Sequence, residues 1–180
     1  QIISLYDYTG EAVKPWAEAG YECFCYDIQH DADSWNTESF AGGGSIAYIK
    51  LDLQETKTDV NGFEYYTFIF ELLKRHSYKA HIVFGFSPCD HLAVSGAAHF
   101  KAKAIKLGSD FQVIATNNAK ACSMLGSLLE VPYMIENPVS RLATLWRKPN
   151  VCFQPYEYGG YIPEAQAVHP LYPEHIAPRD

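Results

Sequence analysis

Short apolar runs alternate with helical segments along this chain, and several of these runs end in a turn that carries an acid or a thiol. Residues 2–5, 21–26, 46–53, 81–86 and 132–135 have the pattern of strands, and residues 11–19, 63–75 and 93–129 have helical composition, with a break near residues 108–109. Strands that alternate with helices form an open, mostly parallel sheet with helices on both faces. Ligands bind such a sheet across the carboxyl ends of its strands. The sequence therefore predicts an α/β protein with its site at that edge.

The sequence also predicts the loop and the last elements outside these strands and helices, and the bounds of the domain. Residues 28–45 are polar and contain three consecutive glycines, which predicts a flexible loop, while residues 141–146 are expected to form a short helix and 151–153 a last strand. The length of 180 residues leaves room for one ordinary domain. We expect that domain over residues 1–160, followed by a Pro-rich extended segment over residues 161–180.

Charge and cysteine content indicate which partners and which cellular compartment this chain suits. Fourteen basic and 21 acidic side chains give a net charge of -7, opposite to that of a protein that holds a polyanion over a wide surface, so nucleic-acid binding is expected to be local or shared with a partner. Five cysteines without a disulfide spacing favour a reducing, cytoplasmic compartment, and no apolar run approaches the roughly 20 residues that cross a bilayer. Cys23 and Cys25 have no second pair of ligands, so we predict no metal site.

Three acids follow the first three predicted strands. Asp7 opens the turn Asp7-Tyr8-Thr9-Gly10, Asp27 ends the second strand, and Asp52 lies near the end of the third. The turn has neither the glycine pattern of a dinucleotide site nor the Gly-Lys-Ser/Thr of a triphosphate site. It suits a ligand with a cationic group, such as the amino group of S-adenosylmethionine, with Asp27 facing ribose hydroxyls and Asp52 an adenine amino group. Each acid alone is more often an N-cap or a solvated loop residue, and their recurrence at three successive strand ends makes a ligand site an equal alternative.

A thiol and a carboxyl group follow two later strands. Cys89 lies directly after the most apolar strand, where a following helix would lower the pKa of the thiol through its N-terminal amides. Glu136 follows the fifth strand, where partial burial would raise the pKa of the carboxyl group and allow it to donate a proton. A small buried hydrophobe and a strand-end cap are the structural alternatives. Their pairing at one edge of the sheet favours a nucleophile with an acid beside it.

These motifs resemble those of the cytosine-C5 DNA methyltransferases. Ser87-Pro88-Cys89-Asp90 is similar to the family's Pro-Pro-Cys-Gln nucleophile motif, Glu136-Asn137-Pro138 to its Glu-Asn-Val motif, and Tyr158-Gly159 to the Tyr-Gly before its later basic motif. Residues 91–97 and 136–160 look like the short, phage-type relatives. The resemblance covers about residues 2–160. It implies a Rossmann-like, S-adenosylmethionine-dependent methyltransferase fold in the cytoplasm of a bacterial or phage-infected cell.

The activity that the resemblance implies is methyl transfer to C5 of a cytosine in DNA. The Cys89 thiolate adds to C6, because C5 is not nucleophilic before that addition, and Glu136 holds the base by N3 and the exocyclic amine. In a duplex the cytosine is flipped out of the stack. The implied substrate contacts are Ser87, Asn137, Pro138 and Arg141. Arg141, Arg147 and Lys148 would meet phosphates, with a solvated basic helix end as the equal structural alternative. The implied cofactor contacts are Asp7, Tyr8, Thr9, Gly10, Asp27, Ile28, Asp52, Leu53 and Pro88.

Other functions stay open at this point. No target-recognition domain is expected in this length, so the substrate is DNA read with the help of a protein partner or a further C-terminal region, a short single strand, RNA or a nucleotide. A different class of function is a non-catalytic S-adenosylmethionine-binding or scaffold domain, which would tolerate Cys89→Ser. Amino-methyltransferases are disfavoured because Cys89 stands where they place an aromatic side chain. An acyl-transfer hydrolase is disfavoured because no histidine is obviously paired with Cys89.

Overall fold

The computed structural model describes residues 1–31 and 36–154. Residues 1–146 form one compact unit, and residues 147–154 are the described part of a second unit and contain no helix or strand. Among the described residues, no helix combines the length and the apolar character needed to cross a membrane. The elements are β1 (Ile2–Leu5), α1 (Lys14–Glu18), β2 (Glu22–Asp27), β3 (Asn36–Ser39), β4 (Ser45–Lys50), β5 (Thr56–Thr58), β6 (Glu64–Tyr66), α2 (Thr67–His76), β7 (Ile82–Gly85), a 3₁₀ helix (Val94–His99), α3 (Phe100–Leu107), α4 (Phe111–Leu128), β8 (Tyr133–Ile135) and α5 (Leu142–Leu145).

The main sheet has six strands in the order β3-β4-β2-β1-β7-β8. All neighbours are parallel except β3, which runs antiparallel along β4 at one edge. This confirms the predicted α/β class and the mostly parallel sheet. The carboxyl ends of five strands lie at the same height in the sheet. One row of paired residues near these ends crosses the sheet through Ile49, Tyr26, Leu5, Gly85 and Ile135. The loops that follow these strands therefore leave the sheet side by side.

Helices cover both faces of the sheet, as predicted. Successive strand residues point to opposite faces, so Ile3 and Leu5 of β1 pack in the core formed with α2 and α4. Ile2 points the other way and packs in the core formed with α1. The apolar side chains of both cores are almost fully buried. Burial of apolar surface is the main source of the stability of such a domain.

Two segments differ from the sequence prediction. A hairpin of β5 and β6 occupies residues for which the sequence predicts the start of the second helix, so α2 starts at Thr67. The hairpin forms because the Asp59 carboxylate accepts the backbone N–H groups of Asn61 and Phe63 and Gly62 adopts a φ of +86°. The polar segment after β2 includes strand β3, which pairs with β4 instead of remaining irregular. The predicted strand at residues 151–153 is wrong, and the predicted boundary at residue 160 lies outside the described residues.

Candidate active site

The level strand ends bring the predicted motifs to one edge of the sheet. Backbone hydrogen bonds continue past the last paired residues: Tyr6 N–H donates to the Tyr26 carbonyl at 2.8 Å, and Phe86 N–H donates to the Leu5 carbonyl at 3.0 Å. Glu136 N–H donates to the Gly85 carbonyl at 3.0 Å. The acidic turn after β1, the cysteine loop after β7 and the glutamate loop after β8 are thus neighbours in that order.

The cysteine and glutamate loops are tied to each other. The Asn137 side-chain amide donates a hydrogen bond to the Ser87 carbonyl oxygen at 3.4 Å, across 50 residues of sequence. Farther along the two loops, Ala93 and Ser140 form an antiparallel bridge. Arg141 N–H donates to the Leu92 carbonyl at 2.9 Å. The loops therefore form one local structure.

Two buried polar atoms at this junction have no hydrogen-bond partner among the described residues: Ser87 Oγ and Asn137 Oδ1. Ser87 is only 4% exposed. Leaving a buried polar group unpaired costs about 1–3 kcal/mol, so each such group in a folded protein requires a structural or functional explanation. Glu136 lies beside them and is half-buried, and this burial raises the pKa of its carboxyl group above the usual value, as the sequence predicts.

Cys89 is half-buried in a turn, and its carbonyl oxygen accepts the N–H groups of Leu92 and Ala93, both at 2.8 Å. The helical segment that the sequence predicts from residue 93 begins as a 3₁₀ helix at Val94. Four residues separate Cys89 from this helix, and one of them, Leu92, is fully buried against α4 and α5.

A charged cluster beside Cys89 was missed from the sequence. Asp90 Oδ2 lies 3.0 Å from His91 Nδ1, and Lys103 Nζ lies 3.1 Å from the same nitrogen. Lys103 also donates to the Asp90 backbone carbonyl at 2.5 Å. Lys103 comes from α3, so no local spacing in the sequence signals this cluster, which fixes α3 against the cysteine loop.

The buried carboxylate of Asp7 stabilises the turn after β1 through hydrogen bonds. Its carboxylate accepts the Gly10 N–H at 2.8 Å and the Ser4 hydroxyl at 2.7 Å, and the residue is 6% exposed. Tyr6 adopts a φ of 59°, which is rare for a large side chain and bends the backbone sharply after the strand. Asp7 therefore shapes the turn, whereas Tyr8 and Thr9 are exposed on it.

The other predicted cofactor contacts differ in exposure. Asp27 is 6% exposed, and its Oδ1 accepts the Gln29 backbone N–H at 2.8 Å. Asp52 is exposed and its Oδ1 accepts the Gln54 N–H at 2.8 Å. Ile28 is exposed, while the side chain of Leu53 is in the core. Leu53 thus supports the loop with its side chain, and its carbonyl accepts the Tyr6 hydroxyl at 3.1 Å.

Two cavities open at this edge of the sheet. One of about 400 Å³ lies between the cysteine loop, the loop after β4 and the helices that follow, and its walls are Gln54, Pro88, Asp90, His91, Leu107, Phe111, Ile114, Ala115 and Asn118. The other, of about 310 Å³, lies beside the acidic turn and is lined by Tyr8, Thr9, Gln29, His30, Asp31, Asn36 and Tyr48. The rings of Tyr8 and His30 stack there with centroids 5.5 Å apart. No sequence pattern predicted this contact.

The remaining predicted site residues are exposed, belong to the second unit or lie outside the described residues. Pro138 and Arg141 are exposed, and Arg141 stands at the start of α5. Arg147 and Lys148 belong to the second unit, and Tyr158-Gly159 lies outside the described residues. Within residues 1–31 and 36–154, no three His, Cys, Asp or Glu side chains gather as a metal site would require.

Comparison with protein-family models, with curated proteins and with solved structures finds no match for this chain. The resemblance to the cytosine-C5 methyltransferases therefore depends on the residues and the geometry of the chain itself.

Proposed function

We propose that the chain is a Rossmann-like, S-adenosylmethionine-dependent methyltransferase that transfers a methyl group to C5 of cytosine in DNA. The observation that carries the proposal is the junction of two loops distant in sequence, in which Cys89 and Glu136 follow neighbouring parallel strands and Asn137 hydrogen-bonds to Ser87. This is the pair of motifs on which the family resemblance depends. Their adjacency is what the proposed chemistry requires.

The strand order supports the cofactor part of the proposal. From β1 the chain adds β2 and β4 in one direction and β7 and β8 in the other, so the order reverses between β1 and β7. In open α/β sheets ligands bind in the crevice at such a switch point, outside the carboxyl ends of the strands. Here the crevice lies between the turn that contains Tyr8 and Thr9 and the loop that contains Pro88.

The residues at this crevice fit S-adenosylmethionine. Tyr8 and Thr9 are the exposed residues of a turn that needs a glycine at position 10, and Asp27 is the last residue of β2, where ribose hydroxyls bind in such folds. Ile28 and Asp52 are exposed after β2 and β4. The adenine ring is proposed to enter the cavity beside Pro88, which Gln54, two residues after Asp52, also lines. When bound, the cofactor supplies a methyl group on a sulfonium sulfur.

The chemistry then depends on Cys89 and Glu136. The Cys89 sulfur forms a bond to C6 of the pyrimidine, and the electron pair of the C5–C6 double bond becomes available at C5, which takes the methyl group. Glu136, whose raised pKa favours the protonated form, donates to N3 and stabilises the charge that develops on the ring. A base then removes the C5 proton, and elimination of the Cys89 thiolate from C6 restores the C5–C6 double bond. Ser87 Oγ and Asn137 Oδ1, which are buried without a hydrogen-bond partner in the described residues, are the groups beside Glu136 that we propose turn towards the base when it binds.

The proposal is tested by a calorimetric titration of the chain with S-adenosylmethionine, with NAD as the control ligand. We expect binding in the micromolar range for the first and none for the second. Transfer of a labelled methyl group to cytosine-containing DNA, RNA and nucleotides is then measured. Absence of S-adenosylmethionine binding, or equal binding of NAD, would contradict the proposal.

A further inference from the structure

The chain after Cys89 forms a single helical turn that does not continue. The Cys89 carbonyl oxygen accepts the N–H groups of Leu92 and Ala93, both at 2.8 Å. In a continued helix the N–H group of Val94 would donate to the Asp90 carbonyl, but here it donates to the glutamate loop at 3.0 Å. Carbonyl groups at the end of a helical turn find no donor within that turn. The carbonyl groups after Cys89 therefore need donors from elsewhere in the fold.

Side chains of two helices supply these donors. The Lys103 ammonium group of α3 donates to the Asp90 carbonyl oxygen at 2.5 Å. The Gln112 side-chain amide, in the first turn of α4, donates to the His91 carbonyl oxygen at 3.0 Å. The next carbonyl along the chain accepts an N–H group at the end of the glutamate loop at 2.9 Å. The turn is thus held from three sides.

Lys103 makes more than one contact with this turn. Its ammonium nitrogen lies 3.1 Å from His91 Nδ1 and 3.7 Å from Asp90 Oδ2, and its side chain is 28% exposed. Hydrogen bonds from a charged donor are stronger than those between neutral groups. Neither Lys103 nor Gln112 is among the residues that line the two cavities. Both side chains therefore contact the cysteine loop and leave the cavities to other residues.

We infer that Lys103 and Gln112 are positioning residues that set the direction of the Cys89 side chain by holding the carbonyl groups of the two residues after it. The inference rests on the proposed function, in which the Cys89 thiolate adds to C6 of the base. Between β7 and the 3₁₀ helix no helix or strand fixes the shape of the cysteine loop. A nucleophile misplaced by about 1 Å can lose about 100-fold in rate, so the reaction depends on these two contacts.

The test compares variants that alter each donor with matched changes on the same helix. Lys103→Met keeps most of the length of the side chain and removes its charge, Lys103→Arg keeps a charged donor, and Lys101→Met, at an exposed position, is the control on α3. Gln112→Glu replaces the donor with a carboxylate oxygen, and Asn117→Asp makes the same change farther along α4. The maximum rate of covalent adduct formation is measured by mass spectrometry, with saturating S-adenosylmethionine and increasing concentrations of an oligonucleotide that contains 5-fluorocytosine.

We expect this maximum rate to fall by about tenfold to 100-fold in Lys103→Met and Gln112→Glu, and to stay within about twofold in both controls. Lys103→Arg should recover to within about fivefold of the unmodified chain, because it restores a charged donor. The affinity for S-adenosylmethionine, measured by calorimetry, should change by less than about threefold in every variant. The amide hydrogens of Leu92 and Ala93 should exchange with solvent about tenfold faster in Lys103→Met and Gln112→Glu, because the turn opens more often.

An unchanged rate of adduct formation in Lys103→Met and Gln112→Glu, or equal losses in the two controls, would overturn the inference and leave the proposed function intact. Equal losses of rate and cofactor affinity, or unchanged amide exchange, would also overturn it. Gln112→Glu adds a negative charge in the first turn of α4, which the helix dipole favours, so it serves as the test even if Lys103→Met does not fold. Absence of any adduct with the unmodified chain would instead contradict the proposed function, and with it the inference.

Discussion

Asn137 donates its side-chain amide hydrogen bond to the Ser87 carbonyl oxygen at 3.4 Å, and this contact joins the loop of Glu136 to the loop of Cys89. The two residues are 50 positions apart in sequence but follow neighbouring parallel strands. In the proposed reaction the contact holds a nucleophile and an acid in one place. Beside this contact, Ser87 Oγ and Asn137 Oδ1 are buried without a hydrogen-bond partner among the described residues.

Changing Asn137 to Asp replaces the donor of this contact with a carboxylate oxygen that faces the Ser87 carbonyl. We expect formation of a covalent adduct with 5-fluorocytosine DNA to slow by more than tenfold, because the cysteine and glutamate loops lose the contact nearest to Cys89 and Glu136, while the free energy of unfolding falls by about 1 kcal/mol. Asn150→Asp, at an exposed position, makes the same chemical change and is expected to have no effect. Adduct formation at an unchanged rate in Asn137→Asp would show that the contact does not organise the site.

Glu136→Gln removes the acid but keeps the shape of the side chain. Since the raised pKa of Glu136 favours its protonated form, the acid is proposed to stabilise the base during the reaction, and we expect turnover to fall by at least 100-fold, a typical loss for a general acid. The affinity for S-adenosylmethionine, measured by calorimetry, should stay within about twofold. Glu18→Gln, on exposed α1, is the control. Equal losses in turnover and in cofactor affinity would indicate a structural role for Glu136.

Gly10→Ala tests the turn after β1. Gly10 has a φ of +73°, and an added Cβ would lie 2.6 Å from the Tyr48 hydroxyl, so both the backbone and the packing oppose a side chain. We expect S-adenosylmethionine affinity to fall by at least tenfold, measured by calorimetry. Gly43→Ala imposes a similar φ of +84° but meets no atom within 4 Å, and it should retain the affinity. A Gly10→Ala variant that binds the cofactor normally would remove this turn from the binding site.

Burial of His76 is expected to make the stability of the fold depend on pH. It is fully buried, and its neutral ring accepts from the Tyr26 hydroxyl at 2.7 Å and donates to Gln1 Oε1 at 2.8 Å. Burial lowers the pKa of His76 from 6.5 to about 4. The unfolded chain therefore takes up this proton at a higher pH than the folded chain, so stability is lost as the pH falls from 6.5 towards 4, by about 3 kcal/mol at most.

Urea unfolding at pH values between 7 and 4 measures this dependence. His76→Gln removes the titrating group and should flatten the curve over that range, even if the variant is less stable throughout. His99→Gln, at an exposed position, should leave the curve unchanged. The same slope in His76→Gln as in the unmodified chain would assign the loss of stability to other groups.

The sequence predicted the parts of the structure that are set by local patterns. Apolar runs and turn residues indicated the five parallel strands, because buried strands are continuous in sequence and end at polar residues. The parallel arrangement then placed Asp7, Asp27, Cys89 and Glu136 at one edge. Burial of Glu136, and with it the direction of its pKa shift, also followed from its position at a strand end.

The features that the sequence did not predict depend on contacts between distant residues. Strand β3 and the hairpin of β5 and β6 are held by pairing partners and by the Asp59 turn, and their own composition does not distinguish them from a loop. Nothing local shows that Leu92 is buried against α4 and α5. The contact of Lys103 with Asp90 and the inward orientation of Asp7 likewise depend on side-chain packing.

The most direct test of the central claim is mass spectrometry of the chain after incubation with S-adenosylmethionine and an oligonucleotide that contains 5-fluorocytosine. Fluorine at C5 cannot leave as the proton does, so the Cys89–C6 bond cannot be released after methyl transfer. We expect a species with the mass of the chain, the oligonucleotide and one methyl group, present in Cys152→Ser and absent in Cys89→Ser. No adduct with the unmodified chain, or an equal yield in Cys89→Ser, would contradict the proposed mechanism.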